Sequence, residues 1–157
     1  MSLTKESVAS RIREAFHGVT LGKGVGLFEG QGLDDYEDAG TCRAYRAKDE
    51  KDDWESIPVE NLNRCYGSLS FFDAEGMRFH LPAFLIAQLD GQLRVDPVFH
   101  LAHLDEWSKS KFVLLTKAQR EAVRDFLILM QDNPDFEFDR PHIETALTNY
   151  WASQIQI

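Results

Sequence analysis

Three histidines and a loop of carboxylates are the groups best equipped for chemistry in this chain. His80, His100 and His103, with Asp49, Asp52 and Asp53, could supply the acid–base pair of a hydrolase or the ligands of an assisting metal. Such chemistry requires convergence within about 5 Å of one point, which spacing alone does not provide. His100 and His103 stand three apart, so they share a face on a helix and take opposite faces on a strand. No HExxH accompanies them, and Asp49-Glu50-Lys51-Asp52-Asp53 lacks the sixth-position glycine of a calcium loop. Crowded loop carboxylates are more often solvated than ligating. No metal and no cofactor is expected, and His100 and His103 are the nearest approach to a ligand pair.

Other chemistries fail on spacing. Gly22, Gly24, Gly26, Gly30 and Gly32 suggest a phosphate cradle, but Glu29 stands where the third glycine of a dinucleotide fingerprint belongs. The glycines also follow a helix rather than a strand, and no phosphate-loop lysine motif is present. Neither GxSxG nor a cysteine-protease surrounding occurs. Cys65 lies beside Arg64, a cation that could lower its pKa, yet a buried thiol is the simpler reading. Arg78 and His80, two apart in an alternating stretch, would project together from a sheet and could grip a carboxylate or phosphate. Lys117, Arg120 and Arg124 form a basic stripe diluted by Glu121 and Asp125, as on a helix laced with ion pairs.

Charge is the most distinctive number. The 157 residues carry 26 acids against 17 bases, a net −9. Residues 34–55 hold nine of the acids and four bases, residues 131–139 hold four acids and no base, and the remainder is neutral. This balance argues against nucleic acid and anionic membranes as partners. Two aromatics, Tyr36 and Trp54, are embedded in the first acidic stretch. An acidic surface with aromatic anchors suits a basic protein partner, so Asp34, Asp35, Tyr36, Asp49, Asp53 and Trp54 form a candidate partner-binding set. The second stretch reads as a link between helices.

These residues must be positioned by elements that the patterning suggests. A helix is expected over Lys5–His17, with Val8, Ile12, Ala15, Phe16 and Val19 on one face. Residues 22–32 read as a loop or irregular strand, and Thr41–Ala47 as a short edge strand. A short helix follows Pro58. Leu69–Leu81 alternates about Asp73-Ala74-Glu75-Gly76, the pattern of a β-hairpin. Pro82 would open a helix that Gly91 closes. Asp96-Pro97 could cap a helix to Trp107, or Arg94–Leu101 could be a strand. Thr116 and Gln119 form a capping-box pattern ahead of a helix to Met130, with Ala118, Ala122, Val123, Phe126, Leu127 and Met130 inward. Asp139 would cap a last helix, and Trp107, Tyr150 and Trp151 would join the core. The sum is a single α+β domain over residues 1–157, helices on a small antiparallel sheet with a central hairpin. No apolar run approaches the roughly 20 residues of a membrane span, and no secretory signal is visible, so a cytoplasmic protein is expected.

Several segments resemble a known family. They are Asp53-Trp54 with Ile57-Pro58, Leu69-Ser70-Phe71-Phe72-Asp73 into Glu75-Gly76, the run Gly76 to Ile86, and Phe112 through Leu115-Thr116 to Gln119. Together they are similar to a family of small uncharacterised bacterial proteins known as a domain of unknown function. The resemblance implies a bacterial source and a compact domain, and it brings no activity. Three readings follow from the residues themselves. The first is a protein-binding module, for instance an immunity-type inhibitor of a basic toxin. The second is a metal-assisted or acid–base hydrolase. The third makes the acidic segments merely solubilising, with function in a pocket elsewhere.

Overall fold

Helices are the only regular elements among residues 3–152, the part of the chain described by the computed structural model. In order they are α1 (Lys5–Ala15), α2 (Leu27–Asp34), α3 (Ala39–Lys48), α4 (Val59–Arg64), α5 (Ser68–Phe71), α6 (Ala74–Leu89), α7 (Pro97–Ala102), α8 (Glu106–Lys109), α9 (Lys117–Gln131) and α10 (Arg140–Ala146). Short 3-10 turns cover Trp54–Ser56, Ser110–Phe112 and Pro134–Asp139, and a π turn covers Leu147–Trp151. The expected α+β architecture is therefore corrected to an all-helical one, with no sheet and no hairpin among the described residues.

The hairpin fails for a definite reason. Its second arm lies in α6, which is covered on nearly every side: Met77, Phe79, His80, Leu81, Pro82, Ala83, Phe84 and Leu85 are all buried. A helix buried all round loses its 3.6-residue stripe, and alternate apolar residues then mimic a strand. The supposed turn is the helix start. The Asp73 carboxylate accepts the Gly76 N–H at 2.8 Å, an N-cap. Pro82 does not open the helix but lies inside it, while the helix does stop just before Gly91, at φ +73°. Thr41–Ala47 is likewise helical, within α3, whose N-cap Asp38 accepts the Thr41 N–H at 2.7 Å.

Around α6 the chain packs by its amphipathic faces. α1 turns Val8 and Ile12 inward and lies against α6 and α9. The capping box at Thr116–Gln119 is present, and Ala122, Val123, Phe126, Leu127 and Met130 of α9 are buried while Ala118 is exposed. Asp96 does cap α7, but that helix ends at Ala102, and Trp107 stands 66% exposed instead of joining the core. Asp139 makes no side-chain cap to α10. Tyr150 and Trp151 are buried, and the Trp151 indole donates to the Leu101 carbonyl at 2.9 Å.

The glycine-rich stretch is a loop only as far as Gly26, and then becomes α2. Loop and helix both need bare backbone. A Cβ on Gly24 would lie 2.6 Å from the Gly76 nitrogen, because the loop runs directly over the start of α6. Gly30 and Gly32 let α2 approach Ser68 and Tyr45. The glycines therefore serve packing.

Candidate functional site

The acidic stretch does not form one surface. Its two halves sit at opposite ends of α3, which at 1.5 Å per residue separates them by about 15 Å.

The second half is largely structural. Trp54 is only 4% exposed, and its indole donates to the Phe16 carbonyl at 3.0 Å. Asp49 is buried against the start of α2, where its carboxylate accepts from the Phe28 and Glu29 N–H groups at 2.8 and 3.1 Å. Burial pushes its pKa up, against the pull of those two bonds. Asp53 accepts from the Glu55 N–H at 3.0 Å and so starts the turn at Trp54. Asp52 is exposed.

The first half is built differently. α2 ends in a Schellman motif: the Glu37 N–H reaches the Gly32 carbonyl at 2.9 Å, and the Tyr36 N–H reaches the Leu33 carbonyl at 3.2 Å. The left-handed position of this motif normally takes glycine or asparagine. Here it holds Tyr36, at φ +59°, the only described non-glycine residue with positive φ. Its side chain is in solvent, the residue being 96% exposed. The turn is fixed on both sides. The buried Gln31 amide donates to Asp34 and Asp35 at 3.3 and 3.1 Å and accepts the Gly67 N–H at 2.7 Å. Hydrogen bonding by Thr41 holds the Asp38 carboxyl below its usual range, so it is ionised. An aromatic ring thus stands out from a rigid turn among Asp34, Asp35, Glu37 and Asp38.

The remaining sequence candidates scatter. The joint projection of Arg78 and His80 falls with the hairpin, since two positions on a helix differ by about 200°. His80 is wholly buried, stacked on Phe72 at 4.3 Å, with Nδ1 bonded to the Gly76 carbonyl at 2.7 Å. Burial lowers its pKa to about 4, so the ring is neutral. Asp49 and the pair His100/His103 line different cavities. The Asp/His set of the hydrolase reading therefore shares no cleft. Among the described residues no group of three or more His, Cys, Asp or Glu is arranged to hold a metal ion. Cys42 and Cys65 are buried, and burial pushes the Cys65 thiol up to about 12.

One cavity went unsuspected. Between α5, α7 and α8 lies a space of about 310 Å³ walled by Met77, Phe99, Trp107 and Phe112. His100 and Lys111 also line it, and Lys111 is only 6% exposed. The Lys111 Nζ donates to the Ser70 carbonyl at 2.7 Å and lies 4.2 Å from the centre of the Trp107 ring. Burial lowers its pKa to about 8. A lysine directly before the apolar run Phe112-Val113-Leu114-Leu115 gives no period or motif by which sequence could have singled it out.

No helix among the described residues is long and apolar enough to cross a membrane. Neither a curated protein nor a solved structure matches the chain. A family model does match, over residues 4–155, nearly the whole length, and on that match the chain belongs to the Family of unknown function (DUF6714).

Proposed function

We propose that this protein is a binding module whose recognition surface is the Tyr36 turn and whose partner is a basic protein. One observation carries the reading: a large aromatic stands wholly in solvent at a backbone position where glycine would be more stable. Its ring makes no internal packing that would offset the strain, so the ring is there for something outside the molecule. Tyrosine is enriched at interface hot spots because it presents much area with few rotors. Asp34, Asp35, Glu37 and Asp38 around it would steer a cationic surface into register. Asp49, Asp53 and Trp54 drop out of the recognition set, since their side chains serve the fold. An inhibitor that covers the basic active site of a toxin is the finer form of this reading.

The test compares the full chain with Tyr36→Gly as bait for lysate of the source cell, at low and high salt. The expected result is a basic protein retained by the native chain, released by salt, and absent from the variant. Equal recovery on both baits, or a partner indifferent to salt, would count against the reading.

A further inference from the structure

The cavity beneath Trp107 combines features that no part of the binding reading uses. A buried ammonium is normally paired, yet no carboxylate lies within ion-pairing distance of Lys111 among the described residues, and the Asp73 carboxylate acts on it only from farther off. This occurs in a chain with nine more acids than bases, where a partner would be easy to supply. One Nζ donor is spent on the Ser70 carbonyl, which leaves donors for another acceptor. His100 lines the same space, and its ring nitrogens have no hydrogen-bond partner among the described residues. It is uncharged at neutral pH, because burial and the nearby Lys111 lower its pKa to about 4. One ring nitrogen can therefore donate. Asp105, the acid on this wall, is committed to capping α8 through the Ser108 N–H at 2.8 Å. Of the rest of the lining, Met77, Phe99, Trp107 and Phe112 are apolar or aromatic, while Ser70, Ser108 and His103 are polar. His103 lies 3.7 Å from the Asp139 carboxylate, and Phe99 and Trp107 both reach solvent at the rim.

We propose that this cleft binds a small aromatic carboxylate, with the carboxylate on Lys111 and His100 and the ring between Phe99 and Trp107. A charged donor and an imidazole N–H match the two oxygens of a carboxylate. The apolar floor of Met77 and Phe112 matches a hydrocarbon ring, and the two rim aromatics can stack on it. The volume lies at the lower end of the roughly 300–1,000 Å³ usual for small-ligand sites, which suits one ring with a short acid arm.

Calorimetric titration of the full chain with phenylacetate is the test, with 2-phenylethylamine, the same ring carrying the opposite charge, as control. Phenylacetate is expected to bind saturably and the amine not at all. Lys111→Met should weaken phenylacetate roughly tenfold or more, the scale of one lost charge-assisted hydrogen bond. Because Lys111 also ties to Ser70, that variant could lose its fold. Trp107→Ala removes a ring that is mostly in solvent and whose inward contact is with Lys111, so it should weaken binding while the helical circular dichroism of the native chain is retained. Absence of phenylacetate binding, equal binding of the amine, or undiminished affinity in folded Lys111→Met or in Trp107→Ala would each overturn the proposal.

Discussion

At the scale of single residues, Tyr36 and His80 carry the clearest predictions. Replacement of Tyr36 by Gly removes a Cβ from the left-handed region. It should raise stability by about 1 kcal/mol, even after the greater unfolded-state freedom of glycine is counted. In a chain of this size that is a rise in Tm of roughly 2–4 °C, readable by calorimetry. A variant more stable yet unable to bind would separate the ring's role from the fold. His80 predicts acid sensitivity. Its folded pKa of about 4 lies below the ordinary 6.5, so between those values the unfolded chain takes up a proton that the folded chain refuses. Its contribution is whole above pH 6.5 and is lost as pH falls toward 4, to the extent of about 3 kcal/mol. Asp49 and Asp96 act with the opposite sign. Their raised folded values favour the native state in acid and soften the net fall. Urea denaturation at pH 7 and pH 4.5 measures the difference. His80→Phe keeps a ring against Phe72 and should make the profile shallower, the remaining slope coming from His100, whose pKa burial also lowers to about 4. An unchanged slope in that variant would refute the assignment to His80.

At the scale of elements, two predictions concern how α2 and its loop are seated. Asp49→Ala removes the acceptor for two N–H groups at the start of α2 and should lower stability by about 1–2 kcal/mol. Asp49→Asn retains one acceptor oxygen and should lose less. Gly24→Ala would drive a methyl into backbone rather than into a pliant side chain, so a loss of about 2–3 kcal/mol or failure to fold is expected. Chemical denaturation of each variant checks both. The same elements explain where reading by pattern succeeded. α1 and α9 were legible because one face of each meets water, which leaves their periodicity intact, and α9 begins at the capping box its sequence shows. α6 was not, because burial on all sides erased the stripe. α2 was not, because Gly30 and Gly32 look like helix breakers while serving close approach to Ser68 and Tyr45. The Tyr36 turn was visible as an aromatic among acids, though nothing in the composition distinguished it from Trp54. The difference lies in distant partners: the Phe16 carbonyl that draws Trp54 inward is 38 residues away.

At the scale of the whole molecule, the correction from α+β to all-helical has a direct optical consequence. Far-UV circular dichroism should show paired helical minima that disappear together on heating, and a single strand-type minimum would contradict the fold. Tryptophan emission offers a second check. Trp54 and Trp151 are shielded while Trp107 faces solvent, so iodide should quench one component and spare the rest. The packing of α1 against α9 also bears on how the chain is made. Gln119 reaches back 104 residues to the Ala15 carbonyl, and Arg11 pairs with Asp125 across 114. At about 5–20 residues per second, a ribosome needs roughly 5–20 seconds to deliver α9 after it has finished α1. For that interval the stripe of Val8, Ile12 and Phe16 lacks its final cover, so a nascent-chain holdase would have its best opportunity at this helix, and a slowed ribosome would prolong the exposure.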